Sequence, residues 1–418
     1  MMHHSPNILT AIAELIAQPS ISSGDPALDQ SNVGVIDLLA TWLDDLGFRV
    51  EIQPVFDGAP PNGEDPLPMH AARHRVAAAR KANLIATLGT GNNGLVLAGH
   101  TDTVPFDEGR WSRDPFGGRV ANDRIYGLGT SDMKAFLALA VEAARGLRAE
   151  ELTAPLIILA TADEETSMSG ARALLEAPSL PARYAVVGEP TGLRPARQHK
   201  GIMMDRIRLT GRSGHSSNPA FGNNAIEGMH VVIGELMALR AEFEKRHRNG
   251  AFLVDYPTLN LGHIHGGDNP NRICGQCELH IDVRPLPGMR IEDIRAEIDQ
   301  RIRARLANRG FSLEIEELFP GVPAVETPAD ARIVRAAEAL SGATAEAVAF
   351  ATEAPFLREM GMEVVVLGPG DIDQAHQPDE FLALDRITPT VSLLRGLIER
   401  FCRQPLDRPT PLPQQAPG

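Results

Sequence analysis

Five apolar or glycine-rich stretches in this chain each run into a short island of acids or histidine: LVLAGHTDTVP (95–105), GTSDMKA (129–135), LIILATADEETS (156–167), YAVVGEPT (184–191) and QAHQPDE (374–380). An apolar run of about five or six residues reads as a strand buried on both faces, and the residues just beyond its carboxyl end lie where open α/β sheets bind ligands. The pattern therefore restricts the fold to a sheet whose strand ends carry chemistry. It points to a two-metal hydrolytic centre along that edge.

At 418 residues the chain is too long for a single core, and two domains are expected. A net charge of −14, with no run of Lys or Arg, argues against a nucleic-acid or anionic-membrane partner. No stretch approaches the roughly 18 apolar residues of a spanning helix. The first twenty residues lack a basic start and a continuous apolar core. Their Ile8, Leu9, Ile12, Leu15 and Ile16 recur at helical spacing, which predicts a surface helix rather than a leader. Three cysteines, Cys274, Cys277 and Cys402, make no disulfide framework and fit a reducing compartment, so the cytoplasm is expected.

Helical and strand patterns alternate from about residue 8 to 189, which predicts an α/β fold with a mixed, largely parallel sheet and helices on both faces. A Pro-, Gly-, Ala- and Arg-rich stretch at 57–82 interrupts it and reads as an inserted loop with one helical turn. Near residue 197 the order becomes strand, helix, strand, strand, helix, strand, the β-α-β-β-α-β sequence of a ferredoxin-like α+β domain. Beyond Gly321 the chain resumes helix, strand, loop and helix. The expected organisation is one discontinuous domain of 1–196 and 319–405, an inserted domain of 197–318 and a disordered tail of 406–418.

His100 ends a strand pattern, and Asp102 two places on is positioned to hold its second ring nitrogen, as a metal-bound imidazole requires. Asp132 opens a helical pattern, where it either caps free amides or bridges two cations. Three adjacent acids, Asp163, Glu164 and Glu165, repel one another unless a cation or proton is shared. Glu165 is then a ligand, and Glu164 the group that takes a proton from a bound water and returns it to the leaving amine. Glu189 and His376 each come after an apolar strand pattern, although either loop also reads as an ordinary turn. Two His, two Glu and one Asp give each of two ions about three ligands. Nitrogen and oxygen donors without thiolate suit Zn²⁺, with Co²⁺ or Mn²⁺ able to substitute. Cys274 and Cys277 form a CxxC inside a predicted strand with no second pair, and read as structural. No GxGxxG after the first strand and no Walker loop supports nucleotide binding.

These islands, with HKG (199–201), SGHSSNPA (213–220), NRIC (271–274), DVRPLPGM (282–289) and TEAPF (352–356), resemble the M20 family of dinuclear zinc amidohydrolases and peptidases over nearly the whole chain. The resemblance implies that His100 and Glu189 bind one zinc, Glu165 and His376 the other, that Asp132 bridges them and that Glu164 is the acid/base. It makes the inserted domain a lid and dimerisation domain, with a homodimer expected through it. His215 would stabilise the oxyanion, often across the dimer interface. Arg284 and Asn271 would hold the substrate carboxylate, and Glu353 a substrate ammonium. The expected reaction is hydrolysis of the acyl amide of N²-acetyl-L-ornithine. The same chemistry on N-succinyl-diaminopimelate, another acyl amino acid or a dipeptide is the alternative, and a non-catalytic dimeric binding module is a rival of a different class. The family's DMKG appears here as DMKA, with Ala135 at an early helical position that favours alanine, so no loss is expected.

Overall fold

A computed structural model of the chain describes residues 7–56, 67–68, 80–177 and 179–404. The chain divides into two compact units, one of Met1–Pro195, Ala329–Ala345 and Phe356–Gly418, the other of Ala196–Pro328 and Glu346–Pro355. The second unit thus extends past the 197–318 expected from sequence and takes in the later segment 346–355, which carries Glu353. The expected tail, 406–418, and the expected helical turn within 57–82 fall outside the described residues. Lys81 and Ala82, counted as the end of that insertion, instead open a strand.

The first unit begins with α1 (Ile8–Ile16), whose Asn7 cap accepts the Thr10 N–H at 3.1 Å, followed by α2 (Val33–Asp45). Strands β1 (Arg49–Val55), β2 (Leu67–Pro68), β3 (Lys81–Leu88) and β4 (Gly94–His100) come next. A small ribbon, β5 (Arg119–Ala121) and β6 (Arg124–Tyr126), leads to α3 (Lys134–Ala144), then β7 (Leu156–Thr161), α4 (Ser169–Leu175) and β8 (Ala182–Val187). Every residue of β3, β4 and β7 is buried, so both faces of the sheet are covered.

In the second unit, β9 (Ala196–His199) precedes β10 (Met203–Thr210), β11 (Gly214–His215) and α5 (Ala225–Arg246). These are followed by β12 (Thr258–Gly266), β13 (Arg272–Ile273), β14 (Gln276–Arg284), α6 (Ile291–Leu306) and β15 (Ser312–Glu317). The main sheet runs β12-β14-β10-β15, antiparallel throughout, the strand order of the expected ferredoxin-like motif. Residues of β10 and β14 alternate between buried and half-exposed, so α5 and α6 seal one face over Ile207, Leu209, Leu279 and Ile281. Short strands β16 (Val325–Glu326) and β17 (Glu346–Val348) both pair with β9. The predicted strand that carries the CxxC is broken: Cys274 lies between β13 and β14, and both CxxC thiols are free and buried.

The chain returns to the first unit with α7 (Arg332–Ser341), β18 (Glu363–Val366), β19 (Phe381–Ala383) and α8 (Ile387–Ile398). Its sheet is ordered β18-β8-β4-β7-β3-β1-β2, with β18, β8, β4 and β7 mutually parallel and the β3 edge antiparallel. Strand β19 joins β6 and β5 in a separate three-stranded ribbon.

Candidate metal centre

Parallel register brings the islands together. His100 pairs with Thr161, so the loops leaving β4 and β7 emerge side by side. Ala98 pairs with Val187 and Val187 with Val366, which sets Glu189 and the loop leading to His376 on the same sheet edge. His100, Asp102 and Glu164 are buried with Asp132 and Glu189, whereas the His376 side chain is half exposed.

His100 Nε2 stands 3.1 Å from Asp132 Oδ1 and 4.0 Å from Glu189 Oε1. His376 Nε2 stands 3.1 Å from Glu165 Oε1 and 3.7 Å from Asp132 Oδ2. The two oxygens of Asp132 thus face different histidines, the disposition a bridging carboxylate needs. His100, Glu164 and Glu189 form one group of donor atoms within 4.8 Å of one another, and His100, Asp132 and Glu165 form a second. Val104, Phe106, Trp111 and Leu128 line a pocket against His376.

The donor set fits a pair of divalent cations. Glu164 Oε1 and Glu189 Oε1 are buried without a hydrogen-bond partner, a costly arrangement for carboxylates that no cation meets. Burial, reinforced by the neighbouring carboxylates against the opposing pull of His100, pushes both Glu164 and Glu189 well above the usual carboxylate range. The hydrogen bond to Glu165 pushes His376 up to about 9 against its partial burial. Crowded acids competing for protons are what a divalent ion relieves.

One sequence expectation is corrected here, and two open readings are narrowed. Asp132 is not a helix cap: α3 starts at Lys134 with Met133 at the cap position, so the carboxylate is free to face the histidines. Asp102 does not hold His100 chiefly through its side chain. The His100 Nδ1 contact at 3.0 Å is to the Asp102 main-chain oxygen, with the carboxylate at 3.6 Å. That carboxylate instead accepts the Glu164 and Glu165 amides at 3.2 and 3.1 Å, fixing both glutamates. The charge of Asp163, left without a role by the sequence, is met by protein: Lys81 Nζ lies 2.6 Å from its Oδ1, and Ser22 and Ser169 hydroxyls donate at 2.9 and 3.1 Å. Only two of the three adjacent acids are left to a metal.

Glu380 was missed as a site residue. Its buried carboxylate accepts the amides of Gly129, Ser131 and Asp132 at 3.0, 2.7 and 3.0 Å, fastening the loop that presents Asp132. It closes the QAHQPDE island four residues after His376, which is the signal that could have found it.

His215, Asn271, Arg284 and Glu353 all belong to the second unit. His215 is exposed on β11, its Nδ1 2.8 Å from Ser217 Oγ. Asn271 is exposed and its carbonyl accepts the Ser216 amide at 3.1 Å. Arg284 is forked onto Asp282 at 2.8 and 3.0 Å. Glu353 is buried, one residue after Thr352.

The model of peptidase family M20/M25/M40 matches residues 96–400. An acetylornithine deacetylase of Edwardsiella ictaluri is 51% identical over 399 residues, which cover 96% of this chain and 99% of that protein. Among solved structures, aminopeptidase PepT from Bacillus cereus aligns with a TM-score of 0.69 at 20% identity, over 96% of this chain and 100% of that one. A dinuclear metal-binding M20-family peptidase from Bacillus subtilis aligns at 0.64 and 15% identity, over 94% and 98%. At such identities the two structures speak to the fold alone.

Proposed function

The chain belongs to peptidase family M20/M25/M40, and from that premise we propose that it is a metal-dependent amide hydrolase that removes the acetyl group from N²-acetyl-L-ornithine, giving L-ornithine and acetate. The substrate comes from the relative that is 51% identical over nearly its full length. The chemistry rests on one observation: the two oxygens of buried Asp132 are divided between His100 and His376.

In this reading His100 and Glu189 would hold one ion and Glu165 and His376 the other, with Asp132 shared between them. When bound, two such ions supply Lewis acidity and a water whose pKa is lowered to about 7. Glu164 removes a proton from the attacking water and delivers it to the departing amine nitrogen. Its unpartnered Oε1 and its raised affinity for a proton, caused by burial first and the adjacent carboxylates next, suit it to both steps. Asp102 keeps Glu164 and Glu165 in register through their amides. The proposal assigns His215 to oxyanion stabilisation, Arg284 and Asn271 to the substrate carboxylate, and Glu353 to the substrate ammonium.

Zn²⁺ is the proposed ion, two per subunit with Co²⁺ able to substitute, because the donors are nitrogen and oxygen without thiolate. The proposal also takes the second unit as lid and dimerisation domain of a homodimer, the pathway as arginine biosynthesis and the compartment as the cytoplasm. The three free thiols support the last, and no helix among the described residues is long and apolar enough to cross a membrane.

The test is hydrolysis by metal-stripped protein, with and without Zn²⁺ or Co²⁺, of N²-acetyl-L-ornithine beside N-succinyl-diaminopimelate. Metal-dependent release of ornithine with little desuccinylation is expected. Desuccinylation alone would keep the chemistry and overturn the substrate, and no metal-dependent turnover of either would overturn the proposed reaction.

A further inference from the structure

A second cluster of metal-binding side chains lies in the second unit, on the sheet face opposite α5 and α6, and shares no residue with the centre described above. Strand β12 pairs with β14, but its register slips at Gly262, where Leu261 faces Ile281 and His263 faces His280. Side chains alternate strictly along a strand, so one extra residue inverts the phase of everything after it. Before the bulge, Leu259 and Leu261 turn toward the helices with Val283 and Ile281. After it, His263 and His265 turn outward, opposite His280 and Glu278. Without the bulge, His263 would have come opposite Leu279, on the other face of the sheet.

The result is a His-x-His strand laid in register beside a Glu-x-His strand. Ligand atoms of His263, Glu278 and His280 lie within 4.8 Å of one another. His280 Nε2 is 2.8 Å from Glu278 Oε1, and the two imidazole centroids are 4.6 Å apart. The carboxylate is held for this purpose: Glu278 Oε2 accepts Arg208 Nε and Nη2 at 3.1 and 2.8 Å, leaving Oε1 to the cluster. Outer hydrogen bonds of this kind orient ligands in metal sites. The nearby guanidiniums do not leave the surface cationic. Arg206 and Arg208 are answered by Glu278, Glu314 and Glu316, two positive charges against three negative.

We infer that His263, Glu278 and His280 form a further binding site for a late first-row dication, Zn²⁺, Ni²⁺ or Cu²⁺, with water or His265 at the fourth position. Two imidazoles and one carboxylate are an established donor set for such ions and a poor one for Mg²⁺ or Ca²⁺. Occupancy ties the edge strand β12 to β14 beyond its bulge. Binding to the folded state alone then raises the unfolding temperature.

The full chain is stripped, dialysed to equilibrium against Zn²⁺, and its metal content per chain compared with that of the His263→Ala/His280→Ala variant. The difference is read, not the total, so the outcome is independent of how many ions the first unit holds. One equivalent fewer in the variant, with an unfolding temperature in chelator equal to that of the parent chain, is expected. Equal content overturns the site. His263→Asn, a change at an exposed position that leaves the fold intact, should lower the affinity of that equivalent at least tenfold, and unchanged affinity in this variant also overturns it.

Discussion

Replacing Lys81 by Met should destabilise the first unit by about 3–5 kcal/mol. The ammonium lies 2.6 Å from Asp163 Oδ1 and 2.8 Å from Asp29 Oδ1, and the Lys81 side chain is 9% exposed. At an effective dielectric constant of about 20, each contact is worth roughly 6 kcal/mol of gross Coulomb attraction, most of it offset by desolvation. What the substitution exposes is the asymmetry between the two carboxylates. Asp29, 22% exposed, regains water, whereas Asp163, 8% exposed, stays buried with only two serine hydroxyls and one charge too many. Breaking a buried pair from one side typically costs about 3–5 kcal/mol. At about 2 °C per kcal/mol for a unit of this size, the unfolding temperature should fall by roughly 6–10 °C in scanning calorimetry. Adding Asp163→Asn removes the stranded charge and should recover at least about 2 kcal/mol of that loss. A single-variant cost below about 1 kcal/mol, or a double variant no more stable than the single, would refute the assignment of Lys81 as counter-ion of Asp163.

Three further outcomes are expected. Glu380→Gln turns an amide NH₂ toward at least one of three main-chain N–H groups, a loss of about 1–3 kcal/mol. Expressed in the Asp132 loop, that loss is roughly a 5- to 150-fold weaker uptake of Co²⁺ by stripped protein. An affinity within twofold of the parent, measured by the Co²⁺ absorption bands, would contradict it. Gly170→Ala should destabilise by about 1–3 kcal/mol despite the helical preference for alanine, because the new methyl meets the main chain of Ala162 and the Asn83 side chain at 2.5 Å. Urea unfolding checks this, and a stabilised variant would show that the neighbours yield. Buried His199 is pushed down to about 4 by burial, against its Nδ1 contact with the Lys200 carbonyl at 2.8 Å. Its unfolded pKa is about 6.5, so the unfolded chain takes up a proton that the folded chain refuses. The contribution is complete above pH 6.5 and declines, by about 3 kcal/mol, as pH falls to 4. His199→Gln should flatten the stability profile over that window, and an unchanged slope would refute the link.

The sequence alone determined the main elements and the strand ends at which the candidate groups gather. Runs such as LIILAT carry their own burial pattern, the β-α-β-β-α-β order is local, and a carboxylate or imidazole at a strand end needs only parallel pairing to meet its counterparts. Tertiary structure decided what each of those groups contacts. The sequence assigned Glu164 and Glu165 and left Asp163 without a role, and only the packing of β3 brings Lys81 from 82 residues away to meet its charge. Asp132 reads as either a helix cap or a bridging carboxylate until the Glu380 carboxylate, 248 residues on, is seen to hold its amide. The bulge at Gly262 decides on which face of the sheet His263 and His265 lie. In each case the deciding contact joins residues far apart in sequence, and neither helical nor strand periodicity encodes a partner that the fold alone brings near.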